Sequence, residues 1–106
     1  MSIITIPFFN FTQFTQEIAL DGIPYIFTFT WNSRGEFWTI GISDKEQNTL
    51  ISGIKLVLGL ELLRKFPDKS LPPGRLFVFD VTGNELPIAY DDFVDGRCDL
   101  IYETIS

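Results

Sequence analysis

Tyr25-Ile26-Phe27-Thr28-Phe29-Thr30-Trp31-Asn32-Ser33-Arg34-Gly35-Glu36-Phe37-Trp38-Thr39-Ile40-Gly41-Ile42 is the stretch that decides the fold class. Tyr25, Phe27, Phe29 and Trp31 alternate with Ile26, Thr28 and Thr30, the period of two that gives a pleated strand its two faces. Asn32-Ser33-Arg34-Gly35 supplies a four-residue turn in which Gly35 is expected to take the positive φ. Residues 36–42 resume the alternation, with Trp38, Ile40 and Ile42 on one side and Phe37, Thr39 and Gly41 on the other. The stretch reads as a hairpin whose aromatic side chains stack across the ladder, at about 0.2 to 1 kcal/mol per pair.

Outward from this hairpin the same period recurs. Phe14, Gln16, Ile18 and Leu20 form one side of an extended segment, and Asp21-Gly22 then offers a tight turn. Ser43 to Asn48 is a polar turn, followed by a strand over 49–57 that is expected to bend or bulge near Gly53. Residues 60–66 suggest at most two helical turns, with Leu62, Leu63 and Phe66 on one stripe. Pro72-Pro73-Gly74 leads into a strand over 75–81. The span 85–96 is aperiodic, with Asp91-Asp92 as a helix start, and 98–105 reads as a last strand whose Ile101, Glu103 and Ile105 do not sort cleanly between core and solvent. The expected fold is mainly β, a small antiparallel barrel or sandwich with one short helix. Residues 14–106 form a single β-rich domain, and residues 1–13 form an N-terminal arm or an edge strand.

Composition narrows the chemistry. The 106 residues include no histidine, and Cys98 is the single cysteine. The commonest general base at neutral pH and the commonest metal ligands are therefore missing. Cys98 reads as a small buried hydrophobe. Asp91, Asp92 and Asp95 crowd carboxylates but lack the ligand spacing of a calcium loop. Asp80 and Glu85 carry no signature of an acid/base pair, and no Ser-Xaa-Xaa-Lys occurs for an activated hydroxyl. The expectation is a protein without catalytic residues, cofactor or metal.

The net charge of -6 lies entirely in the last quarter. Asp80, Glu85, Asp91, Asp92, Asp95, Asp99 and Glu103 face Arg97 alone there, while acids and bases balance over residues 1–79. Such a field repels phosphate backbones and favours a basic protein surface, so no direct nucleic-acid binding is expected. No run of 18 apolar residues is present, and the N-terminus lacks the positive charge and cleavage site of an export signal. The expectation is a soluble chain made in the cytoplasm, with no membrane insertion.

The candidate protein interface comprises Ile4, Ile6, Phe8, Phe9 and Phe11 in the apolar N-terminal segment, Trp31 and Trp38 in the hairpin, and Asp91, Asp92 and Asp95 in the acidic loop. The N-terminal residues offer apolar area and unpaired backbone, the indoles combine area with a donor, and the acids suit a basic neighbour.

The ordered set Leu20-Asp21-Gly22, Tyr25 through Trp31-Asn32, Trp38 with Ile40, Gly53-Ile54-Lys55-Leu56-Val57, Gly59 with Leu62-Leu63, and Pro73-Gly74-Arg75-Leu76 resembles a small baseplate plug family of contractile-tailed bacteriophages. The likeness spans roughly residues 14 to 103. It implies a structural protein in the central baseplate region, contacting hub or tail tube proteins; the apolar N-terminal segment, read as an arm that augments a neighbouring subunit's sheet, adds other copies of the chain as a candidate partner. It also implies assembly in the host cytoplasm and residence in the mature virion's baseplate. The matched positions are fold-defining ones, and the resemblance carries over no catalytic motif. The alternative reading is a peptidoglycan- or carbohydrate-binding module of a tail, with an aromatic-lined groove.

Overall fold

The computed structural model describes residues 2–59, 61–64, 71–83 and 88–105. Among them the chain runs through β1 (Ile3–Ile6), β2 (Gln13–Leu20), β3 (Ile23–Asn32), β4 (Phe37–Asp44), β5 (Thr49–Lys55), β6 (Arg75–Asp80), α1 (Asp92–Asp95) and β7 (Cys98–Glu103). Strands β2 to β5 make one sheet in sequence order, and β1, β7 and β6 make a second in that spatial order. All named pairs are antiparallel. Of the two expected architectures, the sandwich is the one adopted. The ten residues of β3, at about 3.3 Å each, match the 32 Å long axis of the molecule.

The four-stranded sheet is built by local chemistry. Asp21 and Gly22 both hold positive φ, 53° and 80°, which makes the two-residue turn whose twist suits a hairpin. It sets Leu20 against Ile23, and the register runs unbroken to Gln13 against Thr30. Phe27 lies across from Ile42, Phe29 from Ile40 and Trp31 from Trp38. Tyr25, Phe27, Phe29, Trp38, Ile40 and Ile42 are buried, as the alternation requires. The β3–β4 turn departs from expectation in one respect: Glu36, at φ 57°, takes the left-handed conformation, not Gly35. The Asn32 side chain accepts the N–H groups of Arg34 and Gly35, and its carbonyl accepts that of Glu36, so the loop closes one residue later. At the far edge the β4–β5 register shifts, and Gly53, at φ 73°, carries the bulge.

Between β5 and β6 the chain crosses to the second sheet. Leu58 bridges Val78 in parallel, and the Leu62 N–H donates to the Leu76 carbonyl at 2.7 Å. Residues 61–64 form a turn here, correcting the helical expectation for this segment. Glu61 Oε1 accepts the N–H groups of both Leu63 and Leu76, which fastens the turn to β6 while Leu62 and Leu63 fill the core. Leu60, Lys65 and Phe66 lie outside the described residues. The short helix is α1, beginning at the Asp91-Asp92 pair that the sequence marked.

The second sheet places Ile6, Leu100 and Val78 in one inward row and Ile4, Tyr102 and Leu76 in the next. Cys98 is fully buried on the same face, and burial pushes its thiol pKa up, so it behaves as a small apolar residue. Gly74 enters β6 pressed against β7: a Cβ there would lie 2.1 Å from the Glu103 carbonyl oxygen and 2.6 Å from the Tyr102 ring. Among the described residues no helix is long and apolar enough to cross a membrane.

Candidate assembly interface

One end of the sandwich is aromatic. Phe8 follows β1 and turns its ring onto Phe93 of α1, stacked at 4.0 Å with the planes 7° apart. It also meets Phe29 at 4.7 Å, Trp38 at 5.3 Å and Phe14 at 5.8 Å. Tyr90 stacks on Trp38 at 5.5 Å and meets Trp31 edge-on, while the Trp38 indole N–H donates to the Tyr90 carbonyl. The Tyr90 hydroxyl donates to the Asn10 side chain, closing the loop of residues 7–12 over the cluster. Phe9 packs one face against Phe14 and leaves 48% of its surface exposed; Phe11 is 64% exposed.

Beside this cluster an ion-pair clamp holds α1 to the sheets. Arg97 reaches Asp80 at 2.8 Å with one guanidinium nitrogen and Asp92 at 2.7 Å with the other. The Asp80 carboxylate is buried and also accepts the Thr82 N–H and hydroxyl. The Arg97 hydrogen bond holds the Asp92 carboxyl below the usual carboxylate range, and the Ala89 N–H adds to it. Asp92 is thus committed inside the molecule. Asp91 and Asp95 are exposed at the same end.

The structure therefore brings Phe8, Phe9, Phe11, Trp31, Trp38, Asp91, Asp92 and Asp95 to one end of the sandwich. Ile4 and Ile6 sit apart, on the inward face of β1. Ile6 and Trp38 are core residues, 2% and 0% exposed, so a neighbour cannot touch them without opening the fold. Phe8 and Trp31 are half-buried.

The large apolar side chains that face solvent divide between two poles. Phe9, Phe11 and Val94 surround the aromatic end, and Phe79 and Val81 lie where β6 reaches the Arg97 clamp. Ile3, Ile23 and Ile105 are exposed at the opposite pole, around the Asp21-Gly22 turn. There the Asp21 carboxylate accepts the Tyr102 hydroxyl at 2.7 Å and the Ile105 N–H, tying the end of β7 and Ile105 to the first hairpin. Among the described residues, no group of three or more His, Cys, Asp and Glu side chains has metal-holding geometry.

Exposed apolar side chains at both ends of the sandwich leave area suited to contact with other proteins. A comparison with models of protein families matches residues 1–105 to the family described as "Cyanophage baseplate Pam3 plug gp18". The chain belongs to this baseplate plug family. It is a structural component of a bacteriophage baseplate, and its work is contact with other baseplate components. No individual curated protein matches it.

The plug's sequence concealed several of these residues. Tyr90, Phe93 and Val94 fall in the aperiodic span 85–96, where alternation says nothing about facing. Phe79 sits on the outward face of β6 and Val81 in the turn just after it, and only the sheet partition reveals that face. Ile105 did carry a signal, the unsorted pattern of the last strand.

Proposed function

We propose that the chain sits in the central region of the baseplate and joins hub to tail tube proteins, one at each pole of the sandwich. The observation that carries this reading is the division of exposed apolar side chains between the aromatic end and the Asp21-Gly22 end, in a chain of the plug family. Two neighbours gripping opposite poles of one sandwich are thereby set at a defined spacing, with the 32 Å long axis of the molecule as its scale. Asp91 and Asp95 beside Phe9 and Phe11 favour a basic rim on the partner at the aromatic end. Assembly takes place in the host cytoplasm, before the particle is complete.

Co-expression with hub and tube proteins, followed by affinity capture and native mass spectrometry, tests the reading. The wild-type chain is expected to hold both. A Phe11→Ser variant keeps its melting temperature and releases the partner at the aromatic pole, and an Ile105→Ser variant releases the other. Capture of neither protein by the wild-type chain overturns the proposal.

A further inference from the structure

A sandwich of two open sheets has four edge strands, and exposed edges invite pairing unless something blocks them. Three are blocked or short. β5 is kinked by its register shifts and the Gly53 bulge. β6 is covered by the crossing segment, through the Leu58–Val78 bridge and the Leu62 and Glu61 bonds to Leu76. β1 is four residues long and is followed directly by Pro7.

β2 is different. It runs for eight residues with no proline, lysine or arginine and no break in its pairing with β3. The two-residue turn makes Leu20 and Ile23 a hydrogen-bonded pair, and the bond from the Trp31 N–H to the Thr12 carbonyl keeps the same phase at the other end. The even-numbered residues therefore spend their backbone groups on β3. The N–H and C=O groups of Gln13, Thr15, Glu17 and Ala19 point away from the sheet. All four residues are exposed, and among the described residues no hydrogen bond reaches those outward groups.

We infer that β2 is a strand-acceptor edge, on which an extended segment of a neighbouring baseplate protein adds as a fifth strand. The inference rests on the baseplate reading and names the chemistry of that partner. Phe14 and Ile18 point inward yet remain half-buried, because no strand lies beyond them. The incoming segment accordingly carries apolar residues on its inward side. Its outward side carries Lys or Arg opposite Glu17, the one charged residue of β2. Glu17 favours a basic segment over a second copy of the chain, whose matching edge carries the same negative charge and no cation. The N-terminal residues are engaged at home, with β1 on β7 and the Pro7 carbonyl accepting the Gln16 amide, so the chain receives a strand and does not donate one.

Amide hydrogen exchange, on the free chain and on its complex with co-expressed hub and tube proteins, tests this residue by residue. In the free chain Gln13, Thr15, Glu17 and Ala19 exchange fast and the even-numbered amides of β2 exchange slowly. In the complex the four odd-numbered amides become protected. Thr15→Pro removes one outward N–H at an edge position that tolerates proline, and weakens association roughly tenfold or more. Should that variant fold poorly, Glu17→Lys leaves every backbone group in place and still weakens binding, with a flatter salt dependence. A complex that forms while those amides stay unprotected overturns the inference and leaves the hub-and-tube reading standing. No complex with either protein overturns both, and protection of the same amides in the isolated chain at high concentration assigns the edge to self-pairing instead.

Discussion

Replacing Phe8 with alanine separates an N-terminal segment that belongs to the core from one that hangs free. Phe8 stacks on Phe93 at 4.0 Å and packs against Phe29, Trp38 and Phe14. A buried phenylalanine costs about 3 to 5 kcal/mol when cut to alanine. Phe8 is half-buried, which puts its loss at the lower end, about 3 kcal/mol. For a domain of this size each kcal/mol moves the melting temperature by about 4 °C, so the variant should melt roughly 12 °C lower. The control is Phe11→Ala: that ring is 64% exposed, and its loss should stay within about 0.5 kcal/mol. Thermal unfolding followed by circular dichroism reads both. A Phe8→Ala shift below about 3 °C would mean that residues 1–13 are a detachable arm and that the aromatic end is not a packed unit.

Gly74→Ala should cripple folding, because the new Cβ would meet the Glu103 carbonyl oxygen at 2.1 Å and neither backbone can yield cheaply; yield of soluble protein and the urea midpoint read it. Tyr102→Phe leaves the Gly74 N–H and the Asp21 carboxylate short of a partner, costing about 1 to 3 kcal/mol. Burial, and after it the Asp21 hydrogen bond, raise the Tyr102 pKa. The folded chain then retains a proton that the unfolded chain loses above about pH 10, so stability falls as pH rises through that value, and Tyr102→Phe removes that component. At the acid end the sign reverses. Asp92 is depressed chiefly by Arg97, so its contribution is complete above about pH 4 to 5 and disappears as pH falls through its lowered folded value. Melting curves of Asp92→Asn should accordingly be flatter than wild type below about pH 4. Arg97→Gln should lower the melting temperature more than Arg75→Gln, since Arg97 serves the buried Asp80 and Arg75 is an exposed group 3.8 Å from Glu103.

The first hairpins were legible because their signals are local. Alternation from Tyr25 to Trp31 and a turn residue pair at Asp21-Gly22 need no knowledge of the rest of the chain. The bulge at Gly53 was legible for the same reason. The partition into two sheets was not, because β1 pairs with β7 across almost the whole chain and nothing near Ile3 or Glu103 announces it. The start of α1 was legible in the Asp91-Asp92 pair, but the turn at 62–64 was not, because the leucines at 62 and 63 look the same whether they line a helix or plug a turn; the deciding partner, Leu76, lies more than ten residues on. The same blindness put Trp38 among interface candidates. Alternation tells which side of a strand a ring occupies, and only the opposing sheet and Phe8 tell that this side is sealed. The Arg97 clamp was hidden because its acids come from β6 and from α1, and the sequence shows them only as a surplus of negative charge.

On the proposed function this chain is held between two baseplate neighbours, and a high-resolution reconstruction of the baseplate of a phage carrying it is the decisive experiment. The expected result is density for the β sandwich in the central region, with Phe9 and Phe11 against one protein and Ile23 and Ile105 against another. A complete baseplate map without that density, from particles that remain infectious, would contradict it.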